Sequence, residues 1–387
     1  MSIRPQEALL YPLLRLLKSL DRRSSSLKDL HPDRIRNILV VSSTAIGDTL
    51  LSTPAFHAVR RRFPRARIIA HFNADNMELF ENNPDVDGVI PYYGGYRRFW
   101  RTVWRLRRCR FDLALIFHGN EPQATPMAYL SGARFIVKLP NVSAYRFLLS
   151  NRDPVRTWED FAHGVEQRLQ VAELAGCRGD DKRMVLPLAI DQEAAVAEFM
   201  QSKGIGPSDA AIGFQVAAST ISRMWFAAKF VELGRRVAQE YPDIRVVITG
   251  SPQEAPYARE IAAAIGDTAI VAAGELRLKQ VPWLIRRLKL LVTGDTGIMH
   301  LAVAVGTPVV ALFAAADARR SGPYYDKEMH SVIQKHRTCV PCVGKRCTFQ
   351  ICMDNISVNE VLTAVARTLK RPLRSPMSAA TPLYSSK

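Results

Sequence analysis

Short apolar runs alternate along this chain with small-residue turns and longer mixed segments. Residues 38–41, Ile-Leu-Val-Val, form the unbroken apolar run of a strand covered on both faces. A turn of small residues at 42–48 follows, then a helical pattern over 49–62 that stops before Pro64. Residues 67–71, 86–90 and 113–117 read as further strands, so the first half is repeated β and α, which predicts a parallel sheet with helices on both faces. A helix is expected at about 159–176, and the loop CRGDDKRMVLP after it reads as a domain boundary. The second half repeats the pattern. Strands are expected at 211–215, 245–249, 290–292 and 309–313, and helices at 190–203, 226–240, 255–265, 280–287, 297–305 and 357–370.

This organisation predicts an α/β protein of two doubly wound, Rossmann-like domains, 35–180 and 181–370, facing across a ligand cleft at the carboxyl ends of their strands. Residues 371–387 carry Arg371, Arg374 and Lys387 without an acid and are expected to be a disordered basic tail. Residues 1–34 form an amphipathic N-terminal extension. In 7–20, Leu9, Leu13, Leu16 and Leu20 recur at helical spacing, Leu10, Leu14 and Leu17 widen the apolar face, and Pro12 weakens the helix. Two readings stay open: a helix packed on the body, or an in-plane membrane anchor.

Composition changes the picture mainly through charge. With 387 residues, 48% hydrophobic and 23% charged, the chain is too ordinary for disorder, collagen or coiled coil. No apolar run approaches the roughly 18–20 residues of a membrane-spanning helix, and the start lacks a secretory pattern, so a cytoplasmic location is expected. The net charge of +17 suits nucleic acid, an anionic membrane or a phosphorylated substrate. Residues 1–180 hold 27 basic against 18 acidic residues, about half the total excess, so one basic tail does not explain it.

Three motifs sit where a strand gives way to a helix. Ser42-Ser43-Thr44-Ala45-Ile46-Gly47-Asp48-Thr49-Leu50 lacks the glycines of a dinucleotide fingerprint and the lysine of a P-loop. Its Asp48 reads from spacing as a helix cap, or else as a carboxylate available as general base. Thr293-Gly294-Asp295-Thr296-Gly297-Ile298-Met299-His300 combines two glycines with a helix start, suited to an anion or nucleotide. Arg223, in the loop after the 211–215 strand, could fork onto a diphosphate.

In order and spacing these segments, with Phe111-Asp112-Leu113-Ala114-Leu115-Ile116-Phe117-His118-Gly119-Asn120 and Gly306-Thr307-Pro308-Val309-Val310-Ala311-Leu312-Phe313, resemble the bacterial heptosyltransferases of glycosyltransferase family nine, over about residues 35–369. The resemblance implies a GT-B architecture, with acceptor on 35–180 and nucleotide sugar on 181–370. It implies inverting, metal-independent transfer of a sugar, heptose from ADP-heptose, to a lipopolysaccharide core or related lipid-linked glycan. It makes Asp48 the catalytic base, with Gly47 and Thr49 beside it on the acceptor side. Arg223, Asp295, Thr296, Gly297 and His300 would line the donor site; Arg223 stands where the family usually has Lys, and Ser42 to Thr44 stand where it often has a basic residue and a Gly. No cofactor and no metal at the site are implied.

Two features remain beside the motifs. Cys339, Cys342, Cys347 and Cys352 form a C-x2-C-x4-C-x4-C cluster, read either as a structural zinc site or as an ordinary cysteine-rich loop. Residues 96–110, YRRFWRTVWRLRRCR, interleave seven arginines with Tyr96, Phe99, Trp100 and Trp104. That mixture suits single-stranded nucleic acid, but in the acceptor half it reads better as a contact with an anionic membrane surface or phosphorylated glycolipid. The expected partners are thus a nucleotide-sugar donor, a lipid-linked acceptor and the inner membrane, with no nucleic acid. A nucleic-acid-binding protein with a zinc-stapled loop, and a sugar-nucleotide binder without activity, are the alternatives.

Overall fold

The computed structural model describes residues 5–371 except 97, 120, 121 and 341. The chain divides into two compact units, Met1–Pro187 and Leu188–Lys387. The expectation of a disordered tail falls outside the described residues, apart from Arg371.

In the first unit, strands β1 (Asn37–Ser42), β2 (Arg67–Phe72), β3 (Gly88–Val89), β4 (Leu113–His118) and β5 (Phe135–Lys138) form one sheet in the order β3-β2-β1-β4-β5. Every pairing is parallel. The order turns outward in both directions from the β1/β4 pair, which makes the carboxyl ends of these two strands the topological switch point. Helices α2 (Ile46–Arg62) and α5 (Gly164–Glu173) pack against each other on one face. Helices α1 (Pro5–Leu20), α3 (Phe99–Arg107) and α4 (Ala124–Leu130) belong to the other: Leu10, Leu14, Phe99, Val103, Leu106, Met127 and Ala128 share a core with Leu39, Val41, Ala114 and Ile116 of the sheet.

The second unit repeats the winding with one more strand. Strands β6 (Ala210–Gln215), β7 (Ile244–Thr249), β8 (Ala269–Val271), β9 (Leu290–Gly294), β10 (Val309–Phe313) and β11 (Ser331–Gln334) run in the order β11-β10-β9-β6-β7-β8, again all parallel. The switch point lies at β6/β9. Helices α6 (Glu193–Ser202), α7 (Ala227–Glu240), α8 (Ala255–Ile265), α9 (Val281–Arg287) and α10 (Gly297–Ala304) follow in order, then α11 (Ala318–Ser321), α12 (Ile351–Asp354) and α13 (Val358–Leu369).

Several expectations change in detail. The segment expected as one helix at 159–176 is a single 3-10 turn, Trp158–Asp160, and then α5, because the His163 side chain accepts from the Val165 amide and caps a new start. Strands β5, β8 and β11 lie outside the expected set; each has three or four residues, too few for a pattern to emerge. Helix α2 begins three residues earlier than expected, at Ile46, and continues through Pro54. In α1 the leucines that pack are Leu10 and Leu14, whereas Leu9, Leu13, Leu16, Leu17 and Leu20 are exposed. Helix α1 likewise runs through Pro12.

Candidate functional site

The turn after β1 delivers Asp48 to the switch point of the first sheet. The N-cap of α2 is Ala45, which has no side-chain acceptor, so Asp48 is the third residue of the helix and the cap reading is corrected. A carboxylate in the first turn is favoured by the amides there. Its two oxygens are held separately: the Thr44 hydroxyl donates to Oδ2 at 2.9 Å, and Arg168 Nη2 donates to Oδ1 at 3.0 Å. Gly47 and Thr49 are buried beside it; the Thr49 hydroxyl donates to the Ser42 and Ala45 carbonyls and so ties the turn together.

Arg168 comes from α5, and its side chain is 2% exposed against 30% for Asp48. Its remaining donors reach Ser52 Oγ, the Gly164 carbonyl and Gln167 Oε1. Burial pushes the guanidinium below its ordinary pKa, and the Asp48 charge opposes that push. The pair is therefore directional: a buried cation clamps a carboxylate whose outer side meets solvent.

His118, at the end of β4, completes the arrangement. Its Nδ1 lies 2.8 Å from Thr44 Oγ1 and its Nε2 lies 3.7 Å from Asp48 Oδ1. The Thr44 hydroxyl has one proton and gives it to Asp48, so His118 Nδ1 carries the proton of the second bond. Beyond His118 opens a cleft of about 390 Å³, lined by Gly119, Lys138, Val142, Trp158 and Glu159 among others. The Trp158 ring centre is 6.0 Å from that of His118, and Trp158 is half-exposed, an arrangement fit for a sugar face. Gly119 is required here: a Cβ would stand 2.6 Å from that of Ala124.

In the second unit the two expected motifs meet. Arg223 follows β6, Gly294 ends β9 and Asp295 comes directly after it, on either side of the switch point. A Cβ on Gly294 would sit 2.6 Å from the Arg223 carbonyl oxygen, so the glycine lets the loop lie on the strand end. Arg223 Nη1 is 3.3 Å from Asp295 Oδ2, and the Ser321 hydroxyl donates to Asp295 Oδ1 at 3.3 Å. Asp295 is thus an anchor for Arg223 more than an open ligand group. The Thr296 side chain caps α10 through the Met299 amide, Gly297 is the first helical residue, and His300 is buried in that first turn.

Sequence reasoning missed Arg168, Thr44 and His118 as site residues. Trp225, beside Arg223, is structural: it is buried against Phe230 and donates to the Ile356 carbonyl. The four clustered cysteines are free thiols, and among the described residues no group of three or more His, Cys, Asp or Glu side chains is arranged to hold a metal. Cys347 and Cys352 instead bond within their own loop, to the Phe349 carbonyl and to Thr338. On α3, Trp100 and Trp104 are exposed, and Arg108 stacks on Trp104 at 4.2 Å. Among the described residues no helix is long and apolar enough to cross a membrane.

The profile of glycosyltransferase family 9 (heptosyltransferase) matches residues 97–352. The chain belongs to this family. It is 26% identical over 321 residues to lipopolysaccharide heptosyltransferase 2 of Salmonella typhimurium, covering 75% of this chain and 86% of the relative. It is 24% identical to lipopolysaccharide heptosyltransferase 1 of Pseudomonas aeruginosa, covering 81% and 88%. Among solved structures, a family 9 glycosyl transferase from Veillonella parvula superposes with a TM-score of 0.72 at 20% identity, over 86% of this chain and 97% of the other. The E. coli ADP-heptose LPS heptosyltransferase II gives 0.69 at 23% identity, over 86% and 98%. These likenesses show the GT-B fold, and family 9 membership makes the chain a glycosyltransferase.

Proposed function

We propose that this family 9 enzyme transfers heptose from ADP-heptose to a hydroxyl of a lipid-linked lipopolysaccharide core, with inversion at the anomeric carbon. The observation that carries the reading is the Asp48 carboxylate at the first sheet's switch point, one oxygen on Arg168 and the other on Thr44, beside an open cleft. The names of the similar heptosyltransferases support the choice of donor and acceptor.

In this reading the first unit holds the acceptor, with Trp158 under a sugar ring. Asp48 takes the hydroxyl proton as the oxygen attacks the anomeric carbon. The bond from that carbon to the diphosphate breaks as the new glycosidic bond forms, and ADP leaves with the electron pair. A single displacement inverts the centre. Arg168 holds the Asp48 carboxylate in place when substrate covers it, so the base is positioned before the hydroxyl arrives. In the second unit, Arg223 and the amides at the start of α10 meet the charge that develops on the diphosphate, so the reaction needs no metal. His300 and Thr296 shape the same end of the helix. We place the enzyme on the cytoplasmic face of the inner membrane, where the exposed tryptophans and arginines of α3 suit an anionic surface.

Asp48→Asn tests the reading. The amide retains an oxygen for one of the two donors but cannot take a proton. Transfer should fall by about 10²–10⁴-fold with ADP-heptose binding retained. Turnover near that of the parent protein would remove Asp48 from the role of base.

A further inference from the structure

The loop after β5 separates two cavities of the first unit. On one side is the cleft of His118 and Trp158, and on the other a pocket of about 310 Å³. Asn141 holds the loop's shape by donating to the carbonyls of Asn151, Arg152 and Pro154. Arg15 of α1, Arg146 and Arg152 line the second pocket, together with Ser143, Phe147 and Asp153. Three guanidinium groups thus face one carboxylate. Asp153 is 3.9 Å from Arg146, and among the described residues no carboxylate lies within ion-pair distance of Arg15 or Arg152.

The pocket is built. The Arg15 guanidinium stacks on the Phe147 ring at 4.5 Å, and its Nε donates to Tyr11 Oη at 3.2 Å, which leaves its terminal nitrogens for a ligand. Arg152 Nε donates to the Leu149 carbonyl and is oriented in the same way. Planar forks of this kind match phosphate oxygens. One turn away, burial pushes the Lys18 amine below its ordinary pKa, and the Asp21 carboxylate opposes that push.

Helix α1 supplies the second half of the argument. It packs through Leu10 and Leu14 and leaves Leu9, Leu13, Leu16, Leu17 and Leu20 exposed, Leu9 by 78% and Leu20 by 69%. A site for a soluble phosphate has no use for a row of exposed leucines on the helix that donates its arginine. A phospholipid supplies both chemistries, phosphate for the forks and acyl chain for the leucines. We infer that Arg15, Arg146 and Arg152 form a binding site for the phosphate of an anionic membrane phospholipid, with the leucines of α1 lying in the surface of the same leaflet. This deepens the membrane part of the proposed function and does not depend on sugar transfer.

The test is sedimentation of the full-length protein with vesicles of phosphatidylcholine, alone or mixed with phosphatidylglycerol. Binding to the mixed vesicles only is expected. R15Q/R146Q/R152Q should lower the partition coefficient by about a hundredfold, and R15K/R146K/R152K by about tenfold or less. R235Q/R245Q/R259Q in the second unit, with the same loss of charge, should change it by no more than about threefold. L9S/L16S/L20S should weaken binding by about tenfold or more with an unchanged Tm, because these side chains are exposed. Equal losses in the two glutamine variants would mean unspecific attraction and overturn the site, as would indifference of the parent protein to phosphatidylglycerol. If inorganic phosphate binds in calorimetry and is lost in R15Q/R146Q/R152Q while vesicles are ignored, the lipid assignment falls. If W100A/W104A releases the vesicles and R15Q/R146Q/R152Q does not, the pocket fails and membrane contact through α3 stands.

Discussion

Arg168 and Asp48, 120 residues apart in sequence, meet at 3.0 Å across the packed helices α2 and α5, and the arginine is the more buried partner. Breaking such a pair strands a charge, and which charge is stranded sets the cost. Asp48→Asn leaves a guanidinium that is 2% exposed, while Arg168→Met leaves a carboxylate that is 30% exposed. Asp48→Asn should therefore lower stability by about 3–4 kcal/mol and Arg168→Met by about 2–3 kcal/mol. The double variant should show a coupling of about 1–3 kcal/mol. Urea unfolding of the four proteins measures both, and additive losses would show that the pair contributes nothing as a pair.

Gly294 is the point where the Arg223 loop rests on the end of β9. Gly294→Ala places a methyl 2.6 Å from the Arg223 carbonyl oxygen, a backbone atom that cannot swing aside. A loss of about 1–3 kcal/mol is expected, with a raised KM for the nucleotide sugar and little change in KM for the acceptor. A shift of the acceptor KM alone would dissociate this loop from donor handling.

Arg223→Gln removes the fork that would meet the diphosphate and leaves Asp295 with Ser321. The expected loss is about 10²-fold in kcat/KM for the donor, and Arg223→Lys should recover part of it. Steady-state kinetics with donor varied, alongside Tm, separate a lost contact from a lost fold. Equal activity of the arginine and glutamine forms would remove this residue from the leaving-group site.

Acid should destabilise the protein above the usual carboxylate range. Burial pushes His71 and His330 down to about 4 in the folded chain, while an unfolded histidine titrates near 6.5. Their folded pKa is depressed, so the stability they contribute is complete above about 6.5 and is lost as pH falls toward 4. Each contributes about 3 kcal/mol across that window. Glu360, held near 2 by Lys335, and Asp21, held near 2 by Arg23, add a second loss below about 4.5. The urea midpoint should therefore decline from pH 6.5 downward, and His330→Gln should flatten the first part of the decline. A midpoint constant between pH 7 and 4.5 would contradict both histidine assignments.

The buried runs at 38–41 and 309–313, and the small-residue turns after β1 and β9, stand out in the sequence because a parallel strand covered on both faces must be apolar throughout. Strands β5 and β11 escape because edge strands of four residues carry too few positions for a period. Arg168 left one trace. It interrupts the stripe Val165, Leu169 and Ala172 of α5, which a charged residue enters only when paired. Nothing local named its partner.

The doubly wound class, the family and the two strand–helix junctions that carry Asp48 and Asp295 are readable from the residues alone, since these depend on short-range pattern and on residue type in fixed order. Which partners those residues meet within each unit came only with the folded chain. It placed Asp48 inside the first turn instead of at the cap, gave its oxygens to Arg168 and Thr44, and committed Asp295 to Arg223. It also divided the leucines of α1 into a pair that packs and a row that does not. These outcomes depend on distances between segments far apart in the chain. Periodicity reports which side of a helix is apolar, but only packing decides which apolar side finds a neighbour.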